Sequence, residues 1–356
     1  MGEHRFGRRS RAVLVLALMV GATLAAVSPL SAAEHNSYTV TPLVSDQAGV
    51  APKTDADLVN AWGLTSSPTS PWWVSDNATN KSTLYRGSDG TKQGLVVSVG
   101  GGPTGAVFNS TSGFVLPVGG TKALFLFDNE DGQILGWNMA QGATAVVAHT
   151  SPDGGIYKGL AIAGTDNGPR LYAADFHNAR VDVLDGSFGV VPNSGFVDPS
   201  LPAGYAPFGI QTIGDHVFVS YAKQDEDAED EVAGQGRGFV DEYDLAGNLV
   251  ERVAQHGQLN APWGLALAPG GFGRFGGDLL VGNFGDGQIN AYEQQSDGSF
   301  AHRGELRGAD HKSLTIDGLW ALEFGQGGNN GPAGTLFFTA GPDDETHGLF
   351  GQINPS

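Results

Sequence analysis

The chain has 356 residues, 55 of them Gly and 18 Pro, no Cys, and a formal net charge of −19. Gly and Pro at this level without a fixed short period exclude collagen and low complexity. The lack of Cys excludes disulfides, thiol nucleophiles and Cys-ligated zinc. So acidic a chain repels nucleic acid and anionic membranes, and no nucleic-acid partner is expected.

The first segment has the order of a secretory signal peptide. Arg5, Arg8, Arg9 and Arg11 precede an apolar run over 12–27, and Ser31-Ala32-Ala33 supplies small residues for cleavage. The run is short for a membrane span, which needs about 20 residues. Cleavage near Ala33 predicts a secreted, extracellular protein with no membrane span in the mature chain. Arg8-Arg9 leaves twin-arginine export open beside the general route. Loss of residues 1–33 removes four Arg and one Glu, so the net charge moves from −19 to −22.

Beyond residue 36 the pattern is of short apolar runs separated by Gly-, Asp- and Asn-rich turns, which predicts an all-β chain. An aromatic-Gly-apolar element recurs at Trp62-Gly63-Leu64, Thr104-Gly105-Ala106, Lys158-Gly159-Leu160, Phe208-Gly209-Ile210, Trp263-Gly264-Leu265 and Asp317-Gly318-Leu319. Each is followed by an apolar strand ending in a polar turn, then by two more strands. Six units of four strands predict a six-bladed β-propeller over 37–355, a single domain whose strand edges are short and protected. The glycines belong on the innermost strands, where backbones crowd the axis.

The last unit has room for only three strands, over 316–324, 335–340 and 349–354. The alternating stretch 37–43 is expected to supply the fourth and so close the ring. Between the second and third strands of unit four lies an acidic insertion, 223–231, followed by Gly-rich chain to Gly238. It reads either as a solvated loop or as a cation-collecting flap over the channel mouth, and it lacks the EF-hand pattern.

In a propeller the turn after strand two and the loop entering strand one share a face. The polar turns therefore converge on one mouth of the channel. The candidates there are Asp175, His177, Glu345, His347, Lys158 and Asp317, joined by Asn60, Asp128, Asn260 and Asp343. Asp175 and His177 on blade three repeat the acid-x-His spacing of Glu345 and His347 on blade six, and these two blades face each other across a regular ring. Asp76, Asn77, Glu130, Asn283 and Asp286 form a candidate oxygen-ligand set for a divalent cation such as Ca2+. Crowded carboxylates also suit acid–base chemistry. Against this stands the habit of Asp and Asn in tight turns of bonding their own backbone. Phe208, Trp263 and Trp320 near the mouth serve either as a stacking surface or as core. There is no Gly-x-Ser-x-Gly elbow, His-Glu-x-x-His motif or phosphate-binding Gly loop.

The blocks LNAPWGLALAP (259–269), LLVGNFGDGQINAY (279–292), IDGLWALEFG (316–325), YKGLAIA (157–163) and LYAADFHNA (171–179) resemble those of uncharacterised secreted bacterial six-bladed propellers, some with a PEP-CTERM sorting tail. The resemblance spans nearly the whole mature chain and implies the fold. No such tail is seen here, so surface anchoring is not implied. More distantly the chain is similar to NHL-repeat and gluconolactonase-like propellers, the latter with a divalent cation at the channel mouth; their ligand motif does not align with these residues. Three functions follow as expectations: a hydrolase or lactonase-like enzyme on a small polar substrate, a non-catalytic binding module for carbohydrate, peptide or envelope components, or a structural or adhesive surface protein. A monomer is expected.

Overall fold

Apolar runs become strands wherever Gly- and Asp-rich turns bound them, and successive strands pair as antiparallel hairpins. The computed structural model describes residues 35–356 together with Met1, and the signal-peptide reading lies outside the residues described. Residues 35–356 form one unit, a six-bladed β-propeller. Blade one comprises Ala61–Thr65, Trp72–Asp76, Lys81–Tyr85 and Lys92–Ser98, in that spatial order from the axis outward. Blades two, four and five repeat the layout, beginning at Pro103–Phe108, Tyr205–Ile213 and Pro262–Leu267. No α-helix occurs among the described residues, and no helix there is long and apolar enough to cross a membrane.

Position in the blade decides composition. The second strands Trp72–Asp76, Phe125–Asn129, Leu279–Asn283 and Leu336–Ala340 are buried at every residue. They lie between neighbouring blades and have no solvent face. The fourth strands, such as Val146–Thr150 and Leu249–Gln255, are mostly half-buried or exposed. Six apolar clusters fill the six gaps between blades, and a smaller one, which includes Trp62, Phe176, Phe208 and Trp320, joins inner strands of several blades. Blade three is the exception in strand count. After Tyr157–Thr165, Gly168–Asp175 and Arg180–Asp185, its fourth strand shrinks to a bridge between Leu184 and Val190. Gly189 and Pro192 flank that stretch, and Pro has no N–H for a ladder.

The ring closes as expected from the sequence. Tyr38–Ser45 pairs antiparallel with Leu349–Pro355, from Tyr38 opposite Pro355 to Ser45 opposite Leu349, and completes blade six after Leu319–Phe324 and Leu336–Ala340. Tyr38, Leu43 and Val44 are buried in the join.

The axial glycines behave as their spacing predicts, with one correction. A Cβ on Gly63, Gly105, Gly209 or Gly264 would collide with the inner-strand backbone of the next blade. In blade six the equivalent residue is Ala321, not Gly318. The ladder there is interrupted between Leu319 and Leu322, as blade one's is between Ala61 and Leu64, which sets Trp320-Ala321-Leu322 against Trp62-Gly63-Leu64. Gly318 instead sits at φ 61° in the turn before that strand. Here the Thr339 hydroxyl donates to the Trp62 carbonyl and accepts from the Ala321 N–H, so the last gap is bridged by a side chain and leaves room for one methyl group.

Candidate functional site at the channel mouth

Lys158 opens the inner strand of blade three, and its side chain is only 2% exposed. Its Nζ donates to Glu130 Oε1 at 2.7 Å and to Asp230 Oδ1 at 3.0 Å. Glu130 comes from the turn after the second strand of blade two, and Asp230 from the acidic insertion of blade four. The second oxygen of Glu130 accepts from Asn77 Nδ2 at 2.9 Å. Asn60 Nδ2 donates to Asn77 Oδ1 at 3.2 Å and to Glu345 Oε2 at 2.5 Å, which joins blades one and six to the network. One ammonium and two amides thus organise three carboxylates from three blades. Glu231 stands in the same field, coupled electrostatically to Lys158, Glu345 and Asp230.

An aromatic plug floors this mouth. Trp62 and Trp320 stack at 3.6 Å, Phe284 stacks on Trp320 at 4.1 Å, and Phe208 and Trp263 meet Trp320 edge-on. Trp320 Nε1 donates to Asn60 Oδ1 at 2.9 Å and Trp263 Nε1 to the Lys158 carbonyl at 2.8 Å. Lys158 Nζ lies 5.3 Å from the centre of the Trp62 ring, within reach of a cation–π attraction. Trp62, Phe208 and Trp320 are buried; they form core beneath the site and fix its two best-buried polar residues.

The electrostatics follow from burial. Desolvation opposes the Lys158 charge, yet Glu130 and Asp230 outweigh it and hold the ammonium firmly ionised. Desolvation pushes the Glu231 carboxyl up to about 8 against the pull of Lys158, with Glu345 and Asp230 adding to the rise. Glu345 is raised for the same first reason, with the Asn60 hydrogen bond and Lys158 opposing. Its backbone is unusual too. Asp343, Asp344 and Glu345 lie at φ 55°, 51° and 64°. Three successive non-Gly residues in the left-handed region are costly, and such strain persists only where the surroundings over-determine it.

The acidic insertion is a hairpin laid over the network. Asp225 N–H donates to the Asp230 carbonyl at 2.9 Å, and Gln224 bridges Glu231. His177 Nδ1 meets the Ala228 carbonyl at 3.1 Å, and the Gly234 N–H donates to Asn260 Oδ1 at 2.6 Å. The segment thus lies against the mouth through Asp230, Ala228 and Gly234, while Glu226, Asp227 and Glu229 are exposed to solvent.

The sequence candidates therefore separate. Glu130, Lys158, Glu345 and Asn77 come together, with Asn60. The two acid-x-His pairs do not meet: none of Asp175, His177, Glu345 and His347 bonds to another pair's member. Asp175 is buried, accepts from the Asn178 N–H and amide, and pairs with Arg180 at 3.2 Å. His177 holds the flap. His347 Nδ1 meets Asp46, the residue that follows the closing strand, at 2.8 Å. Asp317 accepts from the Asp343 N–H.

The cation set divides: Asn77 and Glu130 are bonded to each other, and Asp76, Asn283 and Asp286 lie outside that network. Asn283 bonds the Asn260 N–H, the Gln258 carbonyl and Asp286, while Asp286 also accepts from the Gln288 N–H; both shape the LVGNFGDGQI turn itself. Asp76 is buried in blade one without a hydrogen-bonded carboxylate oxygen, and desolvation raises its pKa well above the usual range. Asp128 lies below the mouth, takes a hydrogen bond from Thr104 Oγ1, and is pushed up to about 7 by burial. Asp230 and Glu231 are the residues the turn pattern did not single out, though the acidic run that carries them was visible.

Fold and site define a six-bladed propeller with a charged, flap-covered channel mouth. No protein-family profile matches the chain. Two uncharacterised proteins of Acanthamoeba polyphaga mimivirus are similar along most of their length: one is 31% identical over 338 residues, covering 89% of this chain and 80% of its own. The other is 30% identical over 342 residues, covering 89% and 86%. The chain belongs to the family of these mimivirus proteins. Among solved structures, a glucose dehydrogenase aligns at TM-score 0.55 with 13% identity, covering 89% of this chain and all of the other. A streptogramin B lyase aligns at 0.50 with 12% identity, covering 90% and 98%. The PQQ-bound aldose sugar dehydrogenase of Streptomyces coelicolor aligns at 0.50 with 15% identity, covering 90% and 99%. Identities this low show the fold alone.

Proposed function

We propose that the flap-covered mouth is the ligand site of a secreted enzyme that hydrolyses a small polar ester or lactone. The observation that carries this reading is Lys158, a buried ammonium ringed by Glu130, Asp230, Glu231 and Glu345, two of which have raised pKa values. Perturbed titratable groups gathered in one site are the signature of proton-transfer chemistry. Lys158 spends two of its three N–H donors on Glu130 and Asp230, and the third is free to meet a carbonyl oxygen. When water attacks the carbonyl carbon, charge developing on that oxygen is met by the ammonium. An ionised Glu345 or Glu231 takes the proton from the attacking water and returns it to the alkoxide as the ester C–O bond breaks. Secretion rests on the N-terminal sequence pattern.

In this proposal Lys158 fills the place of the divalent cation. A hard dication needs several free oxygen ligands. Here Glu130 is committed to Lys158 and Asn77, Asp230 to Lys158, and Glu345 to Asn60. Among the described residues no group of three or more His, Asp or Glu is disposed to hold a metal ion. The donor set does not suit calcium, and no step is routed through it.

A non-catalytic binding module is the second reading. It is favoured by the latching of the flap through Lys158–Asp230 and His177–Ala228, contacts that have a purely structural use. Sugar lactones are the first substrates to try, since two of the structural neighbours bear the names of sugar dehydrogenases. Turnover of glucono-1,5-lactone and small esters, followed by acid release, separates the two readings. Hydrolysis that falls at least tenfold in Glu345→Gln supports the enzyme. Thermal shifts with such probes but no turnover of any support the binding module.

A further inference from the structure

We propose that the opposite, lower end of the channel is a second ligand site, which takes small organic amines. It stands independently of the chemistry proposed for the upper mouth. Beneath the aromatic plug the channel narrows to a cavity of about 30 Å3 and then opens into a vestibule of about 300 Å3. The vestibule is at the low end of the size range of small-molecule sites. Glu323 of blade six and Gln211 of blade four line both spaces and so mark the neck between them.

Neither side chain has a hydrogen bond or ion pair, although Glu323 is only half-exposed in a lumen otherwise rich in aliphatic side chains. A carboxyl without a partner in a mostly apolar lumen is costly, and native structures rarely leave one without a use. Among the described residues Glu323 is the only ionisable one lining either space. What the neck lacks is therefore positive charge. A metal ion would need more oxygen ligands than one carboxylate and one amide supply. An alkylammonium suits better: its N–H donors meet the Glu323 carboxylate and the Gln211 carbonyl, while its hydrocarbon lies against Phe108, Ile162 and Pro68 of the vestibule wall. Burial also lifts the Glu323 carboxyl to about 8, a penalty that an adjacent ammonium relieves.

Isothermal titration of the folded chain with n-butylamine tests this, with butan-1-ol and butyrate as neutral and anionic counterparts. Butylamine is expected to bind, and the other two not. Glu323→Gln is expected to weaken the amine at least tenfold, and Glu345→Gln at the upper mouth to change its affinity less than twofold, so the outcome is separate from that of the proposed hydrolase. No butylamine heat, equal binding of butan-1-ol, or unchanged affinity in Glu323→Gln overturns the site; the last result would assign the amine to the acidic surface at large. Should Glu323→Gln fail to fold, Gln211→Leu takes its place, with at least a threefold loss expected and an unchanged affinity overturning the proposal.

Discussion

At the upper mouth four carboxyl groups share one buried lysine; at the lower neck a single carboxyl has no cation at all. The same six-fold stack of strands makes both ends. The difference comes from what the loops add. Above, Glu130, Asp230 and Glu345 arrive on turns and an insertion that fold inward around Lys158, so the carboxylates have a cation of the protein beside them. Below, Glu323 and Gln211 lie on the inner strands themselves. A site with its own cation is held by the protein and offers polarised groups to a substrate. An unbalanced one is a standing invitation to a counter-charge.

Removing the cation from the upper end should cost most. In Lys158→Met the carboxylates lose their counter-charge and the flap its latch. Breaking a buried pair costs about 3–5 kcal/mol; because Asp230 is 71% exposed, a loss of about 2–3 kcal/mol in urea unfolding is expected. Glu323→Gln, by contrast, should leave stability unchanged or raised near pH 8, since it removes a charge that has no partner. Equal losses in both variants would erase the contrast between the two ends.

The pH dependence sharpens it. Glu231 and Glu323 are both raised from 4.5 to about 8. Between those values the folded state keeps a proton that the unfolded chain releases. Their contribution is full below about pH 4.5 and is lost as the pH rises through 8, with a slope of up to about 1.4 kcal/mol per pH unit for each group. Glu231→Gln and Glu323→Gln should each flatten the decline measured by denaturant melts from pH 5 to 8.5. Parallel curves for wild type and both variants would show that neither carboxyl is desolvated.

Glu345→Gln keeps shape and removes charge. Turnover of a hydrolysed probe is expected to fall tenfold or more, with global stability within about 1 kcal/mol of wild type. The smallest effect belongs to His347, whose partner Asp46 lies off the mouth in a partly exposed pair. His347→Ala should cost less than about 1 kcal/mol and leave turnover unchanged. A large loss of turnover there would return His347 to the site.

The fold was legible because most blades repeat a Gly-apolar pair on the inner strand and a largely apolar second strand, and because residues 37–43 alternate where blade six lacks an outer strand. The one slip, Gly318 for Ala321, arose because a second Gly precedes the sixth inner strand and the true axial residue carries a methyl group. The site was legible only as a pool of polar turns. Nothing local distinguishes Asp286, which bonds its own turn, from Glu130, which reaches Lys158. The deciding contacts are non-local: Lys158 and Asp230 are 72 residues apart, Asn60 and Glu345 are 285 apart. The left-handed run at Asp343–Glu345, which precedes the turn back to Asn60, has no glycine to announce it.

Lys158 holds down the pKa values of the carboxyls around it against the burial that raises them. Carbon-13 NMR titration of the Glu side-chain carboxyls, in wild type and Lys158→Met, measures this directly. A Glu231 midpoint near 8 is expected in wild type and a higher one in the variant, because the opposing pull of the ammonium is gone. A midpoint near 4.5 in wild type, or one that does not move when Lys158 is replaced, would contradict it.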